Sequence, residues 1–358
     1  MSFFKKLDWK LGVSTAILIV SGLLSLFSTN RELFYKQIWW VALALVIGFL
    51  ITLADLRSFF SRKGFILGLY WLVITLLVAT YFLAPQIKGN RAWIILGGFQ
   101  FQPAEIAKVA LILLLAYFFS KKHVSISRWS SILSSFFYCA VPVVLIALQP
   151  DFGSALVLLA IWVGFVLVSG LPFKKILLGA LVSLVVIVVM WSYVLQDYQK
   201  QRIVSLFSPE ADPLGSNYNA IQSKIAIGSG GLFGKGFGQG TQVQLGFLPE
   251  AQTDFIFAAI SEEGGIFAAL IIFGSFFWML LRILKLGMLN QENFYKFLSL
   301  GCVILFFFQF VIHVGSNLGI LPVIGVTLPF VSYGGSSMLS SIILVSIIQS
   351  AYSKERYM

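Results

Sequence analysis

The sequence predicts an all-α polytopic membrane protein of about ten transmembrane helices, and three observations support this class. Of its 358 residues, 59% are apolar and only 11% are charged, whereas a soluble domain is about 25% charged. A helix needs about 20 apolar residues to cross a bilayer, and many such runs follow one another along the chain. Short loops rich in Lys and Arg separate these runs, as is typical of membrane proteins.

Ten apolar segments have the length and composition of membrane spans. Their predicted cores are residues 11–27, 38–54, 65–82, 106–119, 132–148, 155–170, 176–194, 255–281, 298–314 and 338–351. Neither a period of 20–50 residues nor the inverted repeat of many transporters is evident. Residues 1–358 are therefore predicted to form a single membrane domain.

The positions of Lys and Arg predict the orientation of the chain. With the N-terminus inside, the cytoplasmic segments carry 16 of the 25 Lys and Arg, and the longer outer segments carry 8. The positive-inside rule then places both termini in the cytoplasm. Because the basic residues lie in short loops, the net charge of +11 does not indicate a nucleic acid partner. Ten of the 14 acidic residues fall outside or within the membrane, so function is expected at the outer face.

The longest polar stretch, residues 195–253, is predicted to be a structured extracytoplasmic loop between helices 7 and 8. It exceeds the length of an ordinary connection. It ends at Asp254, where the next apolar run begins. Asp254 is the leading candidate for catalysis, because it faces the compartment where a substrate would be presented. The structural alternative is that its carboxylate caps the following helix.

Charged side chains within membrane helices are further candidates, because each costs roughly 2.5–3.5 kcal/mol on insertion scales. Glu105 and Lys108 open the fourth span three residues apart, so they can pair, and Pro103 suits the start of that helix. They form either a structural ion pair or part of a cavity in which Lys108 meets an anionic ligand. Asp151 begins the sixth span, where capping alone would explain it.

Several other polar or reactive residues are predicted to be structural. Glu262 and Glu263 cannot both share the helix face of Asp254 at 100° per residue, and Gly264 and Gly265 after them can break that helix. His313 is expected to be packed and hydrogen-bonded. Cys139 and Cys302 each lie within a span and are expected to pack without forming a disulfide.

Residues 228–240 contain seven glycines and invite a phosphate-loop interpretation. A Walker A motif requires Ser or Thr after the Gly-Lys pair, but Gly236 follows Lys235, and no βαβ unit surrounds the stretch. No nucleotide is therefore expected. The stretch is either a tight irregular loop or a set of backbone amides that contacts an anion. The outer basic residues that would suit a pyrophosphate are Lys88, Arg91, Arg202 and Lys235.

The sequence contains no H-E-x-x-H motif and no Cys/His cluster, so a zinc site built by the protein is not expected. A divalent cation, Mg²⁺ or Mn²⁺, held jointly by Asp254 and the phosphates of a ligand remains open.

Seven motifs follow one another along nearly the whole chain. They are KGNRAWI (88–94), FQPAEIAK (101–108), LQPDFGSAL (148–156), QRI (201–203), YNAIQSKIAIGSGGLFGKGFGQGTQ (218–242), LPEAQTDFIFAAISEEGG (248–265) and NLGILPVIGVTLPFVSYGGSS (317–337). In this order they resemble the SEDS family of bacterial cell-wall proteins (shape, elongation, division, sporulation). Gln149 and the short N-terminal tail are more typical of the RodA branch than of the FtsW branch. Two positions depart from the family pattern: Ala104 replaces the usual Ser, and Gln252 replaces a frequent His.

The resemblance implies a peptidoglycan glycosyltransferase in the inner (cytoplasmic) membrane of bacteria. Such proteins polymerise lipid II into β-1,4 glycan strands at the outer face during cell elongation and release undecaprenyl pyrophosphate. Their partner is a class B penicillin-binding protein, a transpeptidase. Asp254 matches the family's essential aspartate, as a base or a metal ligand. The candidates for pyrophosphate binding or cavity lining are Lys108, Glu105, Arg202, Lys88, Arg91, Lys235 and Asp151.

Two alternatives to the glycosyltransferase are a lipid II flippase and a non-catalytic scaffold of the elongation machinery. The buried polar residues Glu105, Lys108 and Asp151 would suit the path of a flippase. Against a flippase are the absence of an evident repeat and the concentration of unusual residues on the outer side.

Overall fold

The computed structural model of the chain describes residues 7–54, 57–86, 90–96, 99–122, 128–194, 200, 204 and 217–355. These residues form thirteen α-helices and one antiparallel hairpin. The helices are α1 (Trp9–Thr29), α2 (Arg31–Leu53), α3 (Arg57–Phe60), α4 (Lys63–Leu83), α5 (Pro103–Lys122), α6 (Trp129–Leu148), α7 (Phe152–Val168), α8 (Phe173–Val189), α9 (Tyr218–Ser229), α10 (Thr241–Gln244), α11 (Ile256–Leu289), α12 (Asn293–Asn317) and α13 (Gly335–Glu355). The strands are β1 (Ile94–Leu96) and β2 (Phe99–Phe101), and α8 continues into a π-helical turn, Met190–Val194.

Each of the ten predicted spans corresponds to one of these helices, which confirms the all-α membrane fold. Eight of the described helices are long and apolar enough to cross a membrane: α1, α2, α4, α5, α6, α11, α12 and α13. The sixth and seventh predicted spans are the 17-residue helices α7 and α8. The predicted loop is structured where the model describes it, in α9, α10 and the turns around them. The orientation and the single-domain assignment stay predictions.

Helix α5 forms the centre of the bundle. It is apolar around most of its circumference, as expected for a helix that is surrounded by protein, and it is almost fully buried from Pro103 to Ala116. The outer helices bury one face and leave large apolar side chains exposed on the other. Most of the apolar side chains of α8 are exposed, including Leu177, Leu181 and Val185.

Polar contacts join α1 to α11 at both ends. At one end the guanidinium of Arg282 donates to both carboxylate oxygens of Asp8, with Nε 2.9 Å from Oδ1. At the other end the Ser28 hydroxyl donates to the Glu263 carboxylate. Burial alone would raise the pKa of Asp8, but the hydrogen bonds from Arg282 and from the Leu11 amide hold it below its ordinary value. The two helices are therefore fixed antiparallel over about 30 Å.

Helix α11 is broken at Gly265, where φ is +67°, and residues 230–236 fill the break. Gly264 and Gly265 were predicted to be able to break this helix, and the break at Gly265 confirms it. The segment forms four backbone hydrogen bonds with the two sides of the break: Lys235 N–H to Glu262 O (2.9 Å), Gly236 N–H to Glu263 O (3.0 Å), Ile266 N–H to Gly231 O (2.9 Å) and Phe267 N–H to Leu232 O (3.3 Å).

The glycines of this segment allow its backbone to approach α11 closely. A Cβ atom on Gly234, whose φ is +81°, would lie 2.1 Å from the carbonyl oxygen of Glu263. A Cβ atom on Gly230 would lie 2.1 Å from the carbonyl oxygen of Ser261. The amides of Lys235 and Gly236 donate to α11, so the structure supports the tight-loop interpretation for them in place of anion binding.

We expect Gly265→Ala to destabilise the protein. The backbone of Gly265 (φ +67°, ψ −162°) lies in a region that is essentially restricted to glycine and costs another residue about 1–3 kcal/mol, and the new Cβ would also lie 2.4 Å from Gly234 N and from Leu232 O. Gly274→Ala is the matched control, because Gly274 lies in the same helix with no neighbouring atom within 4 Å of its Cβ position. Thermal unfolding in detergent should show a lower midpoint for Gly265→Ala alone. Equal midpoints for the two variants would contradict this account of the break.

Candidate active site

Asp254 closes a tight turn that leads into α11. Glu250 has a φ of +55°, and its carbonyl oxygen accepts hydrogen bonds from the amides of Thr253 (3.1 Å), Asp254 (3.1 Å) and Phe255 (3.2 Å). The Asp254 side chain is partly exposed, whereas Phe255 and Ile256 after it are buried. The turn therefore holds Asp254 at the border between the outer loop and the bundle.

Asn317, at the end of α12, holds the backbone on both sides of this turn. Its Nδ2 donates to the carbonyl oxygens of Asp254 (2.8 Å) and His313 (2.8 Å). Its Oδ1 accepts from the amide of Ala258 at 3.1 Å. That amide is in the first turn of α11, where a capping side chain normally binds. Asn317 is completely buried. At the Ala258 amide, the cap predicted as an alternative role for Asp254 is therefore provided by Asn317 of α12.

The segment between α12 and α13, residues 318–334, forms a wall beside Asp254. The Ser332 hydroxyl donates to Thr253 O at 2.8 Å, and the Tyr333 amide donates to Gln252 O at 2.9 Å. Gly325 faces the carboxylate, since a Cβ there would lie 3.9 Å from Asp254 Oδ2. The next residue, Val326, has its carbonyl oxygen 2.9 Å from Nδ1 of buried His313, which confirms that His313 is packed and hydrogen-bonded.

A second polar cluster lies in the interior at the start of α5. Lys108 Nζ is 2.7 Å from Glu105 Oε1, and both side chains are about 95% buried. The Ser340 hydroxyl of α13 donates to Glu105 Oε2 at 3.3 Å. Helix α5 begins at Pro103, so both the predicted helix start and the predicted ion pair are confirmed.

Asp151 is close to this cluster and caps α7. Its Oδ1 accepts from the Ser154 amide at 3.1 Å, and its Oδ2 accepts from Gln102 Nε2 at 2.7 Å. Capping is thus confirmed for Asp151, and its contact with Gln102 is an additional role.

Three helices begin at this cluster. Gln102, immediately before α5, contacts Asp151 at the start of α7, and its amide donates to Ser336 Oγ in the first turn of α13 at 3.0 Å. Thr327 Oγ1 lies 3.1 Å from Ser337 Oγ, so the wall segment also reaches the start of α13. Because helix N-termini carry partial positive charge, their convergence favours an anion nearby. Thr327 is two positions after Gly325, which is at most about 7 Å of chain.

Lys235 and the two glutamates of α11 form a separate structural group. Glu262 Oε1 accepts from Lys235 Nζ at 2.8 Å and from the Gln242 amide at 2.9 Å, so it caps the short helix α10. Lys235 Nζ also donates to Thr241 Oγ1 at 2.7 Å. Glu262 lies about 12 Å along the helix from Asp254. These contacts support the structural interpretation of Glu262 and Glu263.

The other predicted basic residues are not brought to Asp254 by any described contact. Arg91 is exposed just before β1. Lys88 and Arg202 lie outside the described residues, so their roles stay predictions. Asn317, Gln102 and Ser332 also hold the site but were not predicted to do so. All three lie inside the motifs quoted above, and this was the only signal in the sequence that could have indicated them.

A divalent cation such as Mg²⁺ needs several oxygen ligands from carboxylates, water or substrate phosphates. Among the described residues there is no group of three or more His, Cys, Asp and Glu that could hold a metal ion. A cage built from protein side chains alone therefore does not fit. A cation shared between Asp254 and phosphate oxygens does fit, because Mg²⁺ is commonly held by one or two carboxylates together with the phosphates of a substrate.

Comparison with known proteins identifies the family. The family model for the cell cycle proteins FtsW, RodA and SpoVE matches residues 9–357. The chain belongs to this family. Its position in the inner bacterial membrane as a multi-pass protein follows from this membership and from the membrane-spanning helices.

Relatives within the FtsW/RodA/SpoVE family match over most of their length. The peptidoglycan glycosyltransferase MrdB of Escherichia coli is 35% identical over 345 residues, which is 95% of this chain and 92% of that protein. A probable peptidoglycan glycosyltransferase FtsW of Trichlorobacter lovleyi is 37% identical over 320 residues, or 88% and 82%.

Solved structures of the family have the same fold. A chain from a peptidoglycan synthase complex, studied for how it coordinates polymerization and crosslinking, superposes with a TM-score of 0.83 at 31% identity and covers 98% of this chain and 99% of its own. The rod shape determining protein RodA of Thermus thermophilus superposes with a TM-score of 0.72 at 28% identity, covering 98% of each chain. The RodA branch is thereby confirmed.

We expect Lys108→Met to destabilise the fold much more than Lys36→Met. Removing Lys108 leaves the Glu105 carboxylate buried without its counter-charge, which costs about 3–5 kcal/mol. Lys36 forms a similar pair with Glu32, but those side chains are 46% and 76% exposed, and water replaces the lost partner. Thermal unfolding in detergent measures both variants. Equal midpoints for the two would mean that the buried pair is not a structural requirement.

Proposed function

We propose that this chain is a peptidoglycan glycosyltransferase that polymerises lipid II at the outer face of the cytoplasmic membrane, with Asp254 as its catalytic residue. The observation that carries the residue assignment is the placement of Asp254. It is a partly exposed carboxylate at the border of loop and bundle, and Asn317 and the wall segment hold its backbone. The activity itself is that of the family relatives, which are named peptidoglycan glycosyltransferases.

The reaction is a single displacement at a sugar carbon. The donor carries its sugar in α linkage to a lipid pyrophosphate, and the acceptor supplies a 4-hydroxyl. The acceptor oxygen forms a bond to the anomeric carbon while the bond from that carbon to the pyrophosphate oxygen breaks. The configuration is inverted to β-1,4, and undecaprenyl pyrophosphate leaves. Asp254 accepts the proton of the hydroxyl as a general base, a role typically worth about 10²–10⁴ in rate.

The leaving pyrophosphate needs positive charge, and the cluster at the starts of α5, α7 and α13 is the proposed source. Lys108 supplies a full charge there, and the three helix N-termini add partial charges. Glu105 and Asp151 hold Lys108 and Gln102 in place and prevent an excess of buried positive charge. Arg91, Lys88 and Arg202 are proposed to contact the pyrophosphate or the sugars from the outer side. Lys235 is paired with Glu262 and would have to exchange that partner to contribute.

Asn317 and Gly325 would set the geometry of the base. Asn317 binds the carbonyl of Asp254 and the amide of Ala258. The backbone that carries the Asp254 carboxylate is therefore attached to α12. Gly325 presents no side chain to that carboxylate, which leaves room for an acceptor sugar. A catalytic group held in this way loses little entropy when the substrate arrives.

A divalent cation is proposed as a shared ligand of Asp254 and the substrate pyrophosphate. When bound, it would neutralise the charge that develops on the leaving group.

A class B penicillin-binding protein is the proposed protein partner. One chain of a peptidoglycan synthase complex that coordinates polymerization and crosslinking superposes on this chain, and crosslinking is the reaction of such a transpeptidase.

We expect Asp254→Ala to be folded but unable to make glycan. Loss of the base should lower the polymerisation rate by at least about 10²-fold. The assay supplies lipid II in detergent, so that no transport across a membrane is needed, and resolves the product by gel electrophoresis. Glu250→Gln is the matched control, because the carbonyl of Glu250 holds the turn and the substitution keeps that carbonyl.

A normal amount of polymer from the folded Asp254→Ala variant would refute the catalytic assignment. If the unaltered chain makes no polymer under these conditions while it moves lipid II across vesicles, the flippase alternative would replace the proposed function.

We also expect activity to fall on chelation with EDTA and to return with Mg²⁺ or Mn²⁺ at millimolar concentration. Without substrate, either ion alone should leave the unfolding midpoint unchanged, because the described residues contain no three-ligand site. A large thermal shift with metal alone would indicate a site built by the protein, and full activity in EDTA would remove the metal from the proposal.

A further inference from the structure

The segment that fills the break in α11 exposes two large apolar side chains. Leu232 is 60% exposed and Phe233 is 76% exposed. Phe233 stacks on Phe267 with the ring centroids 5.1 Å apart. Ile266, Phe267 and Leu270 on α11 are also more than half exposed. These five residues form one apolar patch, which we call the loop-tip patch.

The depth of this patch can be placed relative to the ends of α1. The chain from Asp8 to Ser28 spans about 30 Å at 1.5 Å per residue, which equals the thickness of a bilayer's hydrocarbon core. Ser28 is hydrogen-bonded to Glu263, so Glu263 marks one boundary of that core. Ile266 and Phe267 lie three and four residues further into α11, about 5 Å inside the boundary. The tip of the segment is bonded to these two residues and therefore lies at the same depth.

The backbone chemistry agrees with this depth. Irregular backbone at membrane depth is tolerated only where it is buried in protein or lines a cavity. The backbone of the segment packs into the break of α11, where it pairs with the carbonyls of Glu262 and Glu263 and with the amides of Ile266 and Phe267. What the segment presents outward is the side chains of Leu232 and Phe233, which are apolar.

We propose that the loop-tip patch is inserted into the acyl chains of the outer leaflet and anchors the extracytoplasmic loop at a fixed depth. The composition of the patch favours lipid over a protein partner. Helix pairs in membranes meet through small residues such as Gly, Ala and Ser, whereas all five residues here are bulky. An insertion of about 5 Å is within the range at which interfacial elements bind membranes.

The anchor would also fix the position of Asp254 at the end of the loop. Residues 230–236 are bonded to residues 262–267, and α11 begins two residues after Asp254. Insertion of the patch would thus fix the height of Asp254 relative to the membrane surface. The inference about lipid contact is independent of the reaction that Asp254 performs.

The test is fluorescence quenching of the purified full chain in lipid nanodiscs. Phe233→Cys is labelled with an environment-sensitive fluorophore and exposed to phosphatidylcholine that carries a spin label near the top of its acyl chain, or to aqueous iodide. Leu24→Cys, an exposed apolar position on α1 outside the patch and four residues from Ser28, is the lipid-facing control, and Gln239→Cys, an exposed polar position in the same loop, is the water-facing control. Cys139 and Cys302 are buried, and the labelled parent chain measures their background.

We expect the label at position 233 to lose most of its fluorescence to the lipid quencher, like the label at position 24, and to resist iodide. The label at 239 should show the opposite pattern. If Phe233→Cys does not fold, as judged by gel filtration and thermal unfolding, Leu232→Cys makes the same test. Quenching by iodide without quenching by lipid would overturn the proposal. A label that is exposed to iodide in the pure chain and is protected only after another membrane protein is added would also overturn it, and would assign the patch to protein docking.

Discussion

The architecture of this protein depends on one constraint, that backbone polar groups inside a membrane must find partners within the protein. Helix α11 loses its regular helical hydrogen bonding at Gly265. Without further contacts, this break would leave backbone carbonyls and amides without partners in an apolar medium. Residues 230–236 satisfy them with four hydrogen bonds. The glycine-rich stretch thus packs against α11, and Gly230 and Gly234 lie where the segment approaches the helix too closely for a Cβ atom.

The break also helps to place Asp254 at the border between the outer loop and the bundle. It separates a short first part of α11 from the long part that packs on α1, and the short part packs on both the bundle and the outer loop. Ile256 and Phe257 belong to the main core, whereas Phe255, Ala258 and Ala259 pack with the loop. Asn317 then ties the start of this short helix to the end of α12. The position of Asp254 is thus determined by contacts to three separate parts of the chain.

The ten spans were predictable because a helix that crosses a membrane needs a long run of apolar residues, and such runs are visible in the sequence. The Glu105–Lys108 pair and the start of α5 at Pro103 were predictable because they depend on spacing within one helix. The roles of Asn317, Gln102 and Ser332 were not, because each bonds to residues far away in the chain, and such contacts leave no periodic signal. The sequence suggested that Lys235 binds an anionic ligand, but in the structure its ammonium is paired with Glu262, 27 residues away.

The two polar centres differ in burial in a way that matches their proposed roles. A base must reach a hydroxyl on an incoming sugar, so the partial exposure of Asp254 is a requirement of its chemistry. A charge that stabilises a leaving group acts more strongly where water is excluded, and Lys108 is almost fully buried among three helix N-termini. The desolvation of Lys108 is offset by Glu105 in the resting protein, which keeps the site stable before any substrate binds. The wall segment lies beside Asp254 at Gly325 and contacts the start of α13 through Thr327, so in the proposed mechanism one stretch of chain would set the distance between base and leaving group.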